Sequence, residues 1–243
     1  MTVVTFVVYG VNMEAGLAER KGRKAGYHHG DLRRALLDAA LEQVREEGAA
    51  ALSLREVARR AGVTHAAPYR HFVSKEALVA AVAEEGFHTM RETLLAAMDP
   101  SAGPGENLGR IGVAYVRFAV GHPSHFRVMY GAGQGDSAAF PEMLDAGRGA
   151  FDVLVQTVEA GVRAGELRDE PIASLSLAAW SIVHGLASLL VEDKLPPEAG
   201  RPEDLATMVT AMLMRGLAPV AEAKPRAKAP AAATPRAGRS RRR

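Results

Sequence analysis

Tyr69, Arg70, His71 and Lys75 fall within seven residues of one another. They are donors of the kind that meet phosphate oxygens and base edges. A second set lies far downstream. Trp180 and His184 stand four apart, one helical turn. With Tyr115, Phe118, Phe151 and Val155 they could line a mainly apolar cavity holding one titratable group. The plain alternatives stay open: His184 as a satisfied buried histidine, Trp180 as core. His122 and His125 are three apart and could share a helix face as metal ligands. Two histidines on an acidic stretch make no site, so no metal is assigned. The chain has no H-E-x-x-H, no P-loop, no G-x-S-x-G and no dinucleotide fingerprint. It therefore reads as a non-enzyme with no cofactor. Having no cysteine, it forms neither disulfides nor thiolate metal sites.

The elements that must position these residues are helical throughout. Apolar residues recur at helical spacing over 31–47 (Leu32, Leu36, Ala40, Val44), with Asp31 able to cap the start and Gly48 ending it. Ser53 and Glu56 are spaced as a capping box for a short second helix. Val57 and Ala58 face inward there, and Arg59 and Arg60 outward, either solvated or against phosphate. A turn at Gly62 leads to a third helix over 64–72, with Thr64 as its N-cap. Pro68 lacks the N–H that the first intrahelical bond needs, so this helix starts as a 3₁₀ turn or begins nearer Ala66. Ser74 caps a fourth helix running to 98.

The spacing predicts further helices over 106–121, 123–131 and 141–164, the last broken near Gly147 and Gly149. The glycine-rich run 131–139 reads as mobile. Two more helices follow, over 171–190 and 202–217. The first is apolar around much of its circumference, which calls for burial on more than one side. About nine helices and no convincing strand give an all-α fold: an N-terminal three-helix helix-turn-helix domain, then a second, larger helical domain. The boundaries expected are a flexible extension over 1–26, a DNA-binding domain over 27–76, a regulatory domain over 77–219 and a disordered basic tail over 220–243.

Charge is unevenly spread. Positions 20–95 hold 13 Lys/Arg against 10 Asp/Glu, 96–220 hold 9 against 15, and 221–243 hold 8 against 1. A basic front and an acidic rear suggest a polyanion partner for the front alone. The tail either adds salt-sensitive DNA affinity or serves as a solubilising end. Val3 to Val11 is too short to span a bilayer, and no later segment is expected to do so. No membrane partner and a cytoplasmic location are expected. The first twelve residues read as a loose extension, or as residues ahead of a natural start at Met13.

The run LREVARRAGVTHAAPYRHFVSKEAL (54–78) resembles the DNA-binding signature of the TetR family of bacterial repressors. The resemblance extends back through YHHGDLRRALLDAALEQVREEG to Tyr27. It implies a homodimer on a palindromic double-stranded DNA operator, with repression altered by a small-molecule effector in the rear domain. Carried over, Thr64 caps the recognition helix, and His65 and Ala66 at its exposed start face bases. Tyr69 and His71 meet backbone or a base edge, Lys75 meets phosphate, and Phe72 is a core aromatic. The family commonly has leucine where this chain has Pro68. In the rear, AWSIVHGLASL (179–189) resembles the Trp-x-x-x-His-Gly motif of one class of TetR C-terminal domains. That class implies a four-helix-bundle dimer built by the last two helices. The other function classes open to the chain are a transcriptional activator of the same architecture and a DNA-associated protein without sequence preference.

Overall fold

The computed structural model describes residues 29–131 and 137–219, with side chains from Leu32 onward. The expected N-terminal extension and arm, the basic tail and most of the glycine-rich run lie outside the described residues. The described residues form eight α-helices: α1 (His29–Glu47), α2 (Leu54–Arg60), α3 (Lys75–Ala97), α4 (Pro104–Gly121), α5 (Pro123–Tyr130), α6 (Pro141–Arg163), α7 (Ile172–Val191) and α8 (Pro202–Leu217). Four 3₁₀ turns join them, at Ala49–Ala51, Pro68–Arg70, Ser137–Ala139 and Pro197–Ala199. Among the described residues there is no strand, so the fold is all-α.

Helix starts follow local chemistry. Ser53 Oγ accepts the Glu56 N–H at 3.3 Å, and Ser74 Oγ accepts the Ala77 N–H at 3.2 Å; each satisfies a donor the helix cannot. Proline occupies the first position of α4, α5, α6 and α8, where its missing N–H costs nothing. Two starts differ from the spacing-based reading. Helix α1 begins at His29, so Asp31 lies inside it and is not its cap. Helix α4 begins at Pro104, two residues early.

Helix α3 is the spine. It packs on α4, α5 and α6, while α4 is also covered by α7 and α8. Helix α1 rests on α2, α3 and α5. Leu36, Leu37, Val44, Leu52, Val57, Phe72 and Leu78 form the front of the core and are all nearly inaccessible to solvent. The core continues without a gap into the rear helices. Helix α6 runs unbroken through Gly147 and Gly149. A Cβ on Gly147 would stand 3.6 Å from the Phe87 ring, an ordinary contact, so the glycine neither breaks the helix nor is demanded by its packing.

Helix α7 corrects one expectation. Its 20 residues are long and apolar enough to cross a membrane by length and composition. Here it packs on α4, α6 and α8. Leu175, Ala179, Val183, Leu186 and Ala187 are buried, while Ile182 and Leu189 remain exposed.

Candidate nucleic-acid interface and aromatic site

The front site is built from α1, α2 and the segment that follows. Gln43 is 1% exposed and ties α1 to the start of α2. Its amide donates to Ala51 O (3.0 Å) and Glu47 (3.0 Å), and its oxygen accepts the Ser53 N–H at 3.2 Å. Helix α2 ends in a Schellman turn: Val63 N–H bonds Ala58 O at 3.0 Å and Gly62 N–H bonds Arg59 O at 3.2 Å. Gly62 has φ 68°, the left-handed conformation glycine adopts without strain.

The expected third helix is a single 3₁₀ turn, Pro68–Arg70, preceded by a turn at 65–66. The cause is Pro68. In an α-helix its N–H would bond Thr64 O; here Ala67 N–H bonds that carbonyl instead, at 2.9 Å. Thr64 therefore closes the turn with its carbonyl, and Ala67 rather than Thr64 stands at the N-cap with no side-chain bond. Pro68 O accepts the N–H groups of both His71 (2.9 Å) and Phe72 (2.8 Å), which fixes the exit of the turn. Pro68 and Phe72 are buried, and the Arg33 guanidinium stands 5.6 Å from the Phe72 ring centroid.

The expected site residues divide by exposure. Thr64, His65, Ala66, Tyr69 and Arg70 are open to solvent. His71 and Lys75 are half-buried. Lys75 Nζ donates to Ala50 O at 3.2 Å, so the lysine lies across the α1–α2 connection at the start of α3. Arg60 is not outward-facing: its side chain is 11% exposed and ion-paired to Glu46, Glu47 and Glu56. Arg59 stays exposed and pairs with Glu56. Bonded first to Arg59 and then to Arg60, the Glu56 carboxyl is held at about 2.

Of the rear residues, Tyr115 and Trp180 meet at His184. Tyr115 Oη lies 2.8 Å from His184 Nδ1, and the Trp180 indole N–H donates to Tyr115 Oη at 3.4 Å. The Trp180 and His184 rings are 5.1 Å apart, and Phe151 meets Trp180 edge-on at 6.1 Å. Val155 is half-buried on α6, one turn beyond Phe151. Phe118 is buried with its ring against His122, 5.0 Å away.

Two rings that the sequence reading did not assign complete the cluster. Phe126 and Tyr130 of α5 lie 5.4 and 4.6 Å from His184. Their i, i+4 spacing on a proline-started helix was the available signal. Burial holds His184 below its ordinary value, and Tyr130 well above its own. A groove of about 600 Å³ lies elsewhere, on α1 and the end of α2 beside Ser124. His122 precedes α5 rather than sharing its face, and its ring is 6.0 Å from that of His125. His125 Nε2 is 3.2 Å from Glu85, and among the described residues no group of three metal-ligating side chains occurs.

Comparison with known proteins bears on both halves. A model described as "Bacterial regulatory proteins, tetR family" matches 36–82, and one described as "Tetracyclin repressor-like, C-terminal domain" matches 108–215. The chain belongs to the TetR family. A solved structure of a protein of unknown function from Rhodococcus sp. RHA1 is 33% identical, with a TM-score of 0.68, over 80% of this chain and 100% of that one. A tetR-family regulatory protein from Rhodococcus RHA1 is 22% identical, with a TM-score of 0.64, over 77% and 97%; it attests the fold. The HTH-type transcriptional regulator BetI of Rhizobium meliloti is 37% identical over 79 residues, 32% of this chain and 39% of that relative's length.

Proposed function

We propose that this TetR-family chain is a sequence-specific DNA-binding transcriptional regulator: a homodimeric repressor of a palindromic operator, released by a small-molecule effector. A front domain over 27–76 holds the DNA, and a rear domain over 77–219, of the Trp-His-Gly class, binds the effector and the second subunit. The site of action is the cytoplasm. The observation that carries this reading is the front constellation. The capped α2, the Gly62 turn and the 3₁₀ segment pinned by Phe72 present His65, Ala66, Tyr69 and Arg70 to solvent as one rigid surface. Lys75 and the capped start of α3 adjoin it, so fixed amide donors stand where a phosphate would sit.

The rear supports an effector site through Tyr115, Trp180 and His184, with Phe151 and Val155 on α6; Phe118 of α4, stacked on His122, completes the proposed set. This is an aromatic surround with a few convergent polar groups, the usual make-up of a small-molecule site. The FadR structure from Bacillus subtilis, a fold likeness at 17% identity, was solved in complex with stearoyl-CoA, so one protein of this fold holds a small-molecule ligand.

The test is fluorescence anisotropy of full-length protein on a selected operator. Tyr69→Ala and Lys75→Ala should each weaken binding while helicity and oligomeric state stay unchanged. Each lysine lost should also flatten the log–log salt slope by about 0.9. Unchanged affinity in both variants refutes this placement of the DNA-facing side. Equal affinity for operator and unrelated duplex refutes sequence-specific reading.

A further inference from the structure

The surface offered to DNA has an unusual composition. From 61 to 74 the chain contains no Asn, Gln, Asp, Glu or Lys, and its one arginine is Arg70. Bidentate reading of guanine uses Arg or Lys, and bidentate reading of adenine uses Asn or Gln. All of these but one are missing. Beside the polar Thr64, His65 and Arg70, the segment exposes apolar surface: Tyr69 is 58% and Val73 83% accessible, and Ala66 is open as well.

The backbone explains why these residues point outward. The Phe72 N–H to Pro68 O bond places Pro68 and Phe72 on one buried line. Tyr69 and Val73, each one residue further on and four apart, form a neighbouring exposed line. Single exposed apolar residues are ordinary. Here two stand four residues apart in one short segment that also carries Arg70 and leads into Lys75, so the complementary occupant carries negative charge and offers an apolar feature. In the major groove that feature is the thymine C5-methyl group.

We propose that Ala66, Tyr69 and Val73 read the operator through thymine methyl groups, and that these contacts, rather than bidentate contacts to guanine, carry its sequence preference. This rests on the DNA-reading function above and specifies what is read in the groove.

The experiment begins with an operator selected from random-sequence duplex by the full-length chain. Each thymine is then replaced in turn by deoxyuridine, which removes only the methyl. At least two positions in each half-site should lose about fourfold in affinity apiece, the effect of one buried carbon. Val73→Ala should abolish the sensitivity at one of those positions and still bind the fully uracil-substituted duplex as wild type does. Its helicity is checked by circular dichroism. Replacing guanines by 7-deazaguanine should cost less than replacing thymines. An operator indifferent to uracil overturns this inference and leaves the DNA-binding reading standing. So does one whose dominant loss comes from 7-deazaguanine and is cancelled by Arg70→Ala. A chain that selects no sequence overturns both.

Discussion

The Glu56 carboxylate is shared by Arg59 and Arg60, and Arg60 reaches on to Glu46 and Glu47 of α1. Three carboxylates from two helices thus converge on the Arg60 guanidinium, which is mostly covered. Burying such a group is tolerable only when its donors are met, and five donors in a planar fork can serve several carboxylates at once. The cluster fixes α2 against α1, and with it the angle at which the recognition segment leaves. It also occupies the two arginines, so that Arg60 in particular is structural here. The pH consequence has a definite sign. Glu56 titrates at about 2 in the fold against an ordinary 4.5. A depressed carboxyl contributes stability that is fully present above 4.5 and is lost as pH falls toward 2. The melting temperature of the wild type should therefore drop more steeply across that window than that of Glu56→Gln, and at neutral pH the variant should be the less stable. Parallel pH profiles for the two proteins would show that the cluster does not stabilise the fold.

Gly86 decides how closely α5 sits on α3. A Cβ there would lie 2.5 Å from Met129 Sδ, 3.0 Å from its Cγ and 3.3 Å from His125 Cβ. Met129 is fully enclosed and cannot swing away. Gly86→Ala should recover about 1 kcal/mol of helix propensity yet lose about 1–3 kcal/mol to overpacking. A net loss in denaturant titration is expected, with larger losses if α5 shifts. Gly109→Ala is the control: a Cβ there meets only Met214 Cγ at 3.8 Å and Thr210 Cγ2 at 4.0 Å, ordinary contact, and α4 should gain roughly 0.5–1 kcal/mol. Equal gains at both positions would mean that α3 and α5 are not in tight contact. These helices also show how much of the fold was legible in advance. Helix α8 has the limits its apolar spacing predicts, and α2 and α3 start where Ser53 and Ser74 place caps, because caps and stripes are local signals. Pro68 was legible as a disturbance, but its effect was not: whether one missing N–H shifts a helix start or reduces it to a 3₁₀ turn depends on how Phe72 docks. Gly86 looks like a helix breaker in sequence and becomes a close packing contact only once Met129 is in place. The Trp180–His184 pair was visible from its spacing. Its partners Phe126 and Tyr130 come from another helix, and convergence across helices leaves no periodic trace. Arg60 was read as outward for the same reason, since Glu46 and Glu47 belong to α1.

The core runs continuously from α1 to α8, and α3 crosses from the DNA-facing part into the rear without a linker. A displacement of the rear helices must therefore be felt in front, which a two-domain chain on a flexible tether would not require. What the single chain does not cover is the outer side of its last two helices. Ile182 and Leu189 of α7 and Met208 and Met212 of α8 are each 41% or more exposed, although both helices are firmly packed on their other sides. Four large apolar side chains on two neighbouring helices suit a self-complementary face, since a two-fold axis brings the same patch against itself. A stable interface of ordinary size buries about 1,600 Å² in total, within reach of two helices from each subunit. Placing a lysine at the centre of such a face strands a charge without a counter-ion, whereas in the isolated subunit the same lysine points into water. The double variant Leu189→Lys, Met212→Lys should accordingly keep its helicity and sediment as a monomer at concentrations where the wild type sediments as a dimer. Losing the second half-site, it should bind the selected operator at least about 100-fold more weakly. A double variant that remains dimeric would place the subunit contact on another face. One that is monomeric yet binds the operator at full strength would remove the need for a dimer in DNA reading.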